Sequence, residues 1–337
     1  MVGLLLTLGC EPPVASPSAE MPPLVETRGR TMGTAYLVKI SNPPASLPDD
    51  WKQQVDLELR RVNDQMSTYL KSSELSQFNA SQSTDWFSVS AETAEVVSYA
   101  LDVAELTDGA FDVTIGPLVN AWSFGPDERS NQPPSEEEIA RLKEKIGFQH
   151  LEAREQPPAL RKKNPAIEVD LSAIAKGHGV DRVIERLKTF GVENAFVEIG
   201  GEVRVIGVRG DRPWGVGIQQ PDTDFGGVLT AVPLSDGAIA TSGDYRNFFE
   251  SEGQRFSHTI DPRTGRPVTH NIASVSVAAK NCMVADAWAT AITVLGAEAG
   301  KKAAEQQGLD ILLLIRQKDG FETIRTGVFA EPPLSKK

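Results

Sequence analysis

Val169-Asp-Leu-Ser-Ala-Ile-Ala-Lys-Gly-His-Gly-Val-Asp181 is the stretch whose reading decides the fold. Residues 167–171 read as the end of a short strand, and Ile174, Val180, Val183, Ile184 and Leu187 then recur at helical spacing until Gly191 stops the helix. Asp170 and Ser172 fall at or just before that helix's N-terminus. Free N–H groups there attract anions, and a carboxylate or an exposed carbonyl beside them can hold a hard cation. The plainer reading is an Asp/Ser cap followed by glycines needed for packing. This stretch alone leaves both open.

Downstream, 194–199 and 202–208 read as strands flanking Gly200-Gly201, a two-residue hairpin signal that is also compatible with close backbone approach to a phosphate. Further strands are predicted over 214–219, 227–234, 238–242 and 274–279, and 310–315 pairs with 321–325 around Lys318-Asp-Gly320. The alanine-rich run 284–296 predicts a helix on which Asp286 and Thr290, at i and i+4, share one face. In isolation the pair reads as a cap plus a back-bonded threonine, although a carboxylate, a hydroxyl and a main-chain carbonyl also make a reasonable oxygen set for Mg2+. His258 lies in a half-strand, half-turn segment, and no second histidine sits at ligand spacing, which argues against zinc.

Upstream, Trp51, Val55, Leu59, Val62 and Met66 fall at spacings of 4, 4, 3 and 4, one buried stripe of a helix. Residues 31–40 read as one strand with a glycine near its start. A second helix over 91–106 ends in the turn signal Asp108-Gly109, after which Ala110, Phe111 and Asp112 follow in succession. Ser135-Glu-Glu-Glu138 opens a helix with a single apolar stripe.

Composition bounds the answer. With 337 residues and 40% hydrophobic content the chain can bury a proper core, and a net charge of -12 with no Lys/Arg-rich block argues against a nucleic-acid surface. Two cysteines supply neither a disulfide framework nor a cysteine metal site. Residues 1–10 are an apolar run ending at Cys10, too short to span a bilayer, and 11–24 are rich in Pro, Ser and Glu. The run resembles the tail of a bacterial lipoprotein signal peptide whose cysteine is lipidated. The expectation is export and lipid anchoring through Cys10 on the periplasmic side of the inner membrane, with 11–24 as tether, a folded domain over 25–331 and a disordered tail at 332–337.

Met32-Gly-Thr34, Met66-Ser-Thr-Tyr69, Gly109-Ala-Phe-Asp112, residues 170–177, Gly200-Gly201, Thr241-Ser-Gly-Asp244, His258-Thr-Ile-Asp-Pro-Arg-Thr-Gly265 and Asp286-Ala-Trp-Ala-Thr290, in this order, resemble the ApbE family, bacterial FAD:protein FMN transferases. The resemblance implies Mg2+-dependent transfer of FMN from FAD to a Thr or Ser hydroxyl of a target flavoprotein, forming a phosphoester and releasing AMP. It implies metal oxygens from Asp286, Thr290 and the Ala173 carbonyl, and FAD lined by Met32, Tyr69, Ala110, Phe111, Asp112, Asp170, Lys176 and Ile260. It makes His258 the candidate base. The fold it implies is α+β, a single compact domain of mixed, mainly antiparallel sheets covered by helices, and the sequence lacks GxGxxG. Two other readings stay in view: a metal-dependent FAD pyrophosphatase giving FMN and AMP, and a passive flavin-binding lipoprotein.

Overall fold

Met32 and Gly33 form the turn of a hairpin, so the strand expected over 31–40 begins only at Thr34 and a further strand precedes the turn. In the computed structural model, which describes residues 22–125, 132–221, 227–243, 248–251 and 254–331, β1 (Leu24–Thr31) and β2 (Thr34–Ser41) pair antiparallel from Leu24↔Ser41 to Thr31↔Thr34. Both turn residues have positive φ, 48° at Met32 and 72° at Gly33, which is the geometry that matches the twist of paired strands. The proposed lipidation site Cys10 and the tail 332–337 lie outside the described residues. β1 begins one residue before the expected start of the folded domain.

The apolar stripe read at the N-terminal side forms α1 (Trp51–Met66), and its five stripe residues are all buried. α2 (Glu74–Ala80) follows, capped by Ser73, whose Oγ accepts from Ser76 N–H. After the short β3 (Phe87–Ser88) comes α3 (Ala91–Leu106), capped by Ser90. α4 (Gly116–Ala121) and α5 (Glu136–Lys143) carry a small satellite cluster, and Ser135 caps α5 as its sequence suggests. β4 (Leu151–Glu155) and β5 (Pro158–Lys162) join β3 in a three-stranded sheet.

The expected strand over 167–171 is absent: the segment is extended but has no strand partner. Its backbone is held instead by Asn79, whose amide accepts from Val169 N–H and donates to Val169 C=O, both at 2.8 Å, and by Asp170 N–H donating to Val113 C=O at 2.7 Å. α6 (Ala175–Thr189) then begins. The remaining elements are β6 (Ala195–Ile199), β7 (Glu202–Ile206), β8 (Trp214–Gln219), β9 (Val228–Leu234), β10 (Gly237–Gly243), β11 (Phe248–Ser251), β12 (Gln254–Ser257), β13 (Ile260–Asp261), β14 (Arg266–Pro267), β15 (Ile272–Ala279), α7 (Cys282–Leu295), α8 (Ala297–Gln307), β16 (Asp310–Gln317) and β17 (Gly320–Arg325).

Eight strands form one sheet in the order β1-β2-β6-β7-β10-β15-β16-β17, and every pair in it is antiparallel. Along β16, Ile311 and Leu313 enter the core beneath α3 and α7, while Leu312 and Leu314 enter a second core beneath the β8–β9 hairpin. A strand covered on both faces needs apolar residues at consecutive positions, which explains the unbroken Ile-Leu-Leu-Leu run. α1 and α6 cover the β2–β6 end of the helical face through Val55, Leu59, Val180 and Ile184. The fold is thus α+β, an antiparallel sheet with helices on one face and a hairpin on the other. Among the described residues no helix is long and apolar enough to cross a membrane.

Candidate active site

α6 and α7 meet so closely that a side chain at Gly177 has no space. A Cβ there would sit 2.3 Å from the Cys282 carbonyl oxygen and 2.8 Å from Asp286 Cβ. The approach lets Gly177 N–H, in the first turn of α6, donate to Asp286 Oδ2 at 2.9 Å. From the other side Asp181 of α6 accepts from the first two N–H groups of α7, Cys282 at 2.9 Å and Met283 at 2.8 Å, and Asn281 caps Val284 N–H. Free N–H groups at that terminus are therefore already satisfied. Asp286, one turn further on, is not a cap.

The cap reading of the Asp286/Thr290 pair is corrected accordingly. Thr290 is not back-bonded either: its hydroxyl lies 3.2 Å from Ser242 Oγ, at the end of β10, and the back-bonded threonine of α7 is Thr293, donating to Ala289 C=O. Asp170 is likewise no cap of α6. Its Oδ1 accepts from Ser172 N–H at 2.8 Å, closing a small turn that leads the chain into the helix, whose N-cap residue is Ile174.

These elements border a cavity of about 740 Å³. Ala110, Phe111, Asp112, Asp170, Ala173, Lys176, His258, Ile260, Asp286 and Thr290 all line it. Met32 and Tyr69 do not. Met32 packs against α6, close enough that a Cβ on Gly179 would come within 2.8 Å of its Cε, and Tyr69 is 71% exposed on the loop after α1. The lining also includes Gly200, Gly201 and Glu202 at the β6–β7 turn, the β10 end 241–243, and Gly217 and Val228 of the β8–β9 hairpin. The volume lies within the range of sites for cofactor-sized ligands.

Charge is concentrated on one wall. Lys176 Nζ is 2.6 Å from Glu202 Oε1 and 3.7 Å from Asp286 Oδ1. Burial pushes the Asp286 carboxyl up to about 6, against the pull of the Lys176 ammonium. Burial works to lower the Lys176 pKa, but Asp286 and Glu202 outweigh it and hold the ammonium above its ordinary value. Glu202 Oε2 is buried with no hydrogen-bond partner. Glu202 joins the site without a mark in the sequence, where it is only the first strand residue after a Gly-Gly turn.

Asp112 lines the cavity with its carboxylate turned into the protein. Its Oδ1 accepts from Thr114 N–H and Oγ1, and its Oδ2 from Phe148 N–H at 2.9 Å. Burial nevertheless raises its pKa, partly offset by those bonds. Its part is to fix the loop that presents Ala110 and Phe111. Phe111 is only 2% exposed and belongs to the main core, so it offers the cavity little more than an edge. His258 sits with its ring centroid 6.2 Å from that of Phe124 in an edge-on arrangement, next to the nearly buried Ser257 and Thr259.

Among the described residues no group of three His, Cys, Asp or Glu side chains is placed to hold a metal. A cation here would need a mixed oxygen set. Asp286 Oδ1 and the Thr290 hydroxyl, on one face of α7 at the cavity wall, are hard donors of the type Mg2+ takes, and Ala173, whose carbonyl would complete the set, borders the same space. The residues present fit such an ion.

The family model described as "ApbE family" matches residues 32–313. The chain belongs to the ApbE family. It is 44% identical over 338 residues to a Vibrio cholerae protein named FAD:protein FMN transferase, covering 100% of this chain and 98% of that one. It is also similar to the solved flavin transferase ApbE from Vibrio cholerae, with a TM-score of 0.84, 42% identity and coverage of 91% of this chain and 98% of that one. The apo flavinyl transferase ApbE from Pseudomonas stutzeri superposes with a TM-score of 0.84 at 35% identity, covering 94% of this chain and 99% of that one. Of the segments that carry the resemblance, those holding Ala110 to Asp112, Asp170 to Lys176, Gly200-Gly201, Thr241 to Gly243, His258 to Ile260, and Asp286 with Thr290 border the cavity, and the Met32 turn and the Tyr69 loop do not.

Proposed function

We propose that this ApbE-family chain is a FAD:protein FMN transferase that moves the FMN moiety of FAD onto a Thr or Ser hydroxyl of a target flavoprotein. The observation that carries this reading is the convergence of Asp286, Thr290, Lys176 and His258 on a single cavity large enough for a nucleotide. In the reaction the acceptor oxygen attacks the FMN phosphorus and a new P–O ester bond forms. The bond from that phosphorus to the bridging pyrophosphate oxygen breaks, AMP leaves with the electron pair, and the hydroxyl proton passes to a base. The His258 imidazole is the group assigned to take that proton, since a neutral imidazole accepts one at physiological pH.

Asp286 and Thr290, with the Ala173 carbonyl, would hold Mg2+, which when bound supplies a Lewis acid for the charge that builds on the pyrophosphate oxygens. Lys176 adds a fixed positive charge on the same wall. Gly200, Gly201 and Gly217 leave the backbone open to close approach by the substrate. The cavity's apolar members, among them Ile260, Val216 and Phe124, exclude water from the flavin nucleotide. Tyr69, exposed on its loop, is assigned to cover the bound FAD from outside the cavity as it stands here, with Met32 bracing α6 beneath.

We further assign residues 1–10 to a lipoprotein signal, Cys10 to lipid anchoring and the stretch from 11 up to the start of β1 to a tether, with the enzyme working on the periplasmic side of the inner membrane. Detergent-phase partitioning of the full chain, lost on Cys10→Ala, tests this part. The reaction is tested by incubating the protein with FAD, Mg2+ and a candidate acceptor. Flavin fluorescence that stays with the denatured acceptor band, with AMP released in equal amount, is the expected result. Free FMN with no labelled acceptor would instead make the chain a FAD pyrophosphatase, and no turnover at all would leave a passive flavin binder.

A further inference from the structure

Lys176 stands between two buried carboxylates at unequal distances. The ammonium is in full contact with Glu202 Oε1 at 2.6 Å and stops short of Asp286 Oδ1 at 3.7 Å. The Glu202 and Asp286 side chains are 5% and 4% exposed, so both must find their counter-charge inside the site. Asp286 Oδ2 is occupied by Gly177 N–H, which leaves Oδ1 as the oxygen of that carboxylate turned to the ammonium. An ammonium and a divalent cation would compete for it.

Glu202 is where it is because of the Gly200-Gly201 turn. Ile199 and Glu202 face each other across it, and both glycines have positive φ, 64° and 111°. A Cβ on Gly200 would press within 2.9 Å of Thr34 Cγ2 and reach 3.4 Å from Glu202 Oε2. The turn therefore sets the first residue of β7 at the cavity wall opposite the first turn of α6. Glu202 Oε2 lies buried and unpartnered on this same carboxylate, a second acceptor onto which the Lys176 ammonium can shift without leaving Glu202.

We propose that Glu202 is a positioning residue that holds the Lys176 ammonium away from Asp286 Oδ1 and so keeps that oxygen open to the divalent cation. The inference rests on the metal reading given above and names what this chain adds to it. Without Glu202 the Asp286 carboxylate still lies 3.7 Å from the Lys176 ammonium, and a flexible four-carbon stem lets the ammonium close that gap. The cluster of one ammonium and two carboxylates also carries a net negative charge, which removal of the Glu202 charge would cancel.

The test reads metal uptake and needs no turnover. Binding of Mn2+, a paramagnetic surrogate for Mg2+, is titrated by electron paramagnetic resonance on the full chain without FAD. The unmutated protein should take up the ion; no uptake there would overturn the metal reading and the proposal with it. Glu202→Gln should weaken uptake by about tenfold or more while melting close to the parent. Lys176→Met should bind at least as tightly as the parent, and Glu202→Gln combined with Lys176→Met should return to within about threefold of it. Uptake by Glu202→Gln equal to the parent overturns the proposal. So does a double variant as weak as Glu202→Gln alone, because Glu202 would then act on the ion itself and not through Lys176. Loss of uptake in Lys176→Met alone overturns it as well.

Discussion

Asp286→Asn isolates one charge in the site. Asparagine keeps the shape of the side chain and an oxygen that can still accept from Gly177 N–H, now at 2.9 Å, so the close contact of α6 and α7 is preserved. What disappears is a carboxylate 3.7 Å from the Lys176 ammonium, on the wall where the pyrophosphate charge would build. Capping of α7 belongs to Asn281 and Asp181, so the loss of about 1 kcal/mol expected for a vacated cap does not apply. Burial already disfavours the charged form of Asp286, which makes its neutralisation cheap for the fold. Stability should therefore change by about 1 kcal/mol or less, a shift of roughly 1–2 °C in Tm for a domain of this size. Transfer should fall by about 3 kcal/mol in barrier terms, roughly a hundredfold or more, by analogy with deletion of one group that stabilises developing charge.

The assay is single-turnover transfer of flavin to the acceptor at saturating FAD and Mg2+, with FAD affinity and Tm measured on the same preparation. Affinity should weaken less than the rate, because the compensation matters most as AMP departs. Near-normal transfer under those conditions would refute the reasoning: it would take Asp286 out of the site, and Thr290, which shares its helix face, with it. A rate loss matched by a large drop in Tm would show that Asp286 works through the fold.

Gly177→Ala should cost several kcal/mol, on the order of 3 or more, because the new methyl meets the Cys282 carbonyl at 2.3 Å and neither helix backbone can yield cheaply; urea denaturation measures it. Asn79→Ala should destabilise by about 2 kcal/mol and slow transfer at unchanged Mn2+ binding to Asp286, since Val169 N–H and C=O lose their partner and the segment carrying Asp170 loosens. His178 is buried, and burial first, then Arg182, lowers its pKa from 6.5 to about 4. The unfolded chain therefore takes up the proton first, so stability present above pH 6.5 is lost as pH falls towards 4, by roughly 3 kcal/mol from this group. A His178→Leu variant should lose correspondingly less between pH 7 and 4 in paired urea titrations, and parallel curves would refute the assignment.

What the sequence could and could not reveal follows from how each residue is held. The helices over 51–66 and 91–106, the β6–β7 hairpin and the doubly covered β16 are legible because period and turn chemistry act locally. The segment 167–171 misleads because its apolar alternation is real, with Ile167, Val169 and Leu171 all buried, but its backbone bonds go to the Asn79 side chain and to Val113. Alternation reports which side is buried, not what the backbone pairs with. The hairpin at Met32-Gly33 was hidden by the opposite problem, a turn short enough to be read through as strand.

The site shows the same division. Asp286 and Thr290 share a face by helical spacing, so their pairing can be read from the chain. That Asp286 is no cap depends on Asp181, which reaches the α7 N-terminus from a helix a hundred residues earlier in sequence, as the Asp181–Cys282 bond with its separation of 101 records. Glu202 is silent in sequence for a related reason: its significance is its 2.6 Å contact with Lys176 across 26 residues and a tight turn. One helix start thus serves three ends at once. Gly177 lets α6 touch α7, Asp181 caps α7, and Lys176 just before them balances Glu202 against Asp286. The spacing of 176, 177 and 181 is therefore constrained by the partner elements and not by α6 itself, whose own helix would tolerate other residues at all three positions. A change in any one of the three should be felt at Asp286, and the Gly177 and Asp286 variants, measured singly and together, should be non-additive in transfer rate as residues in direct contact are.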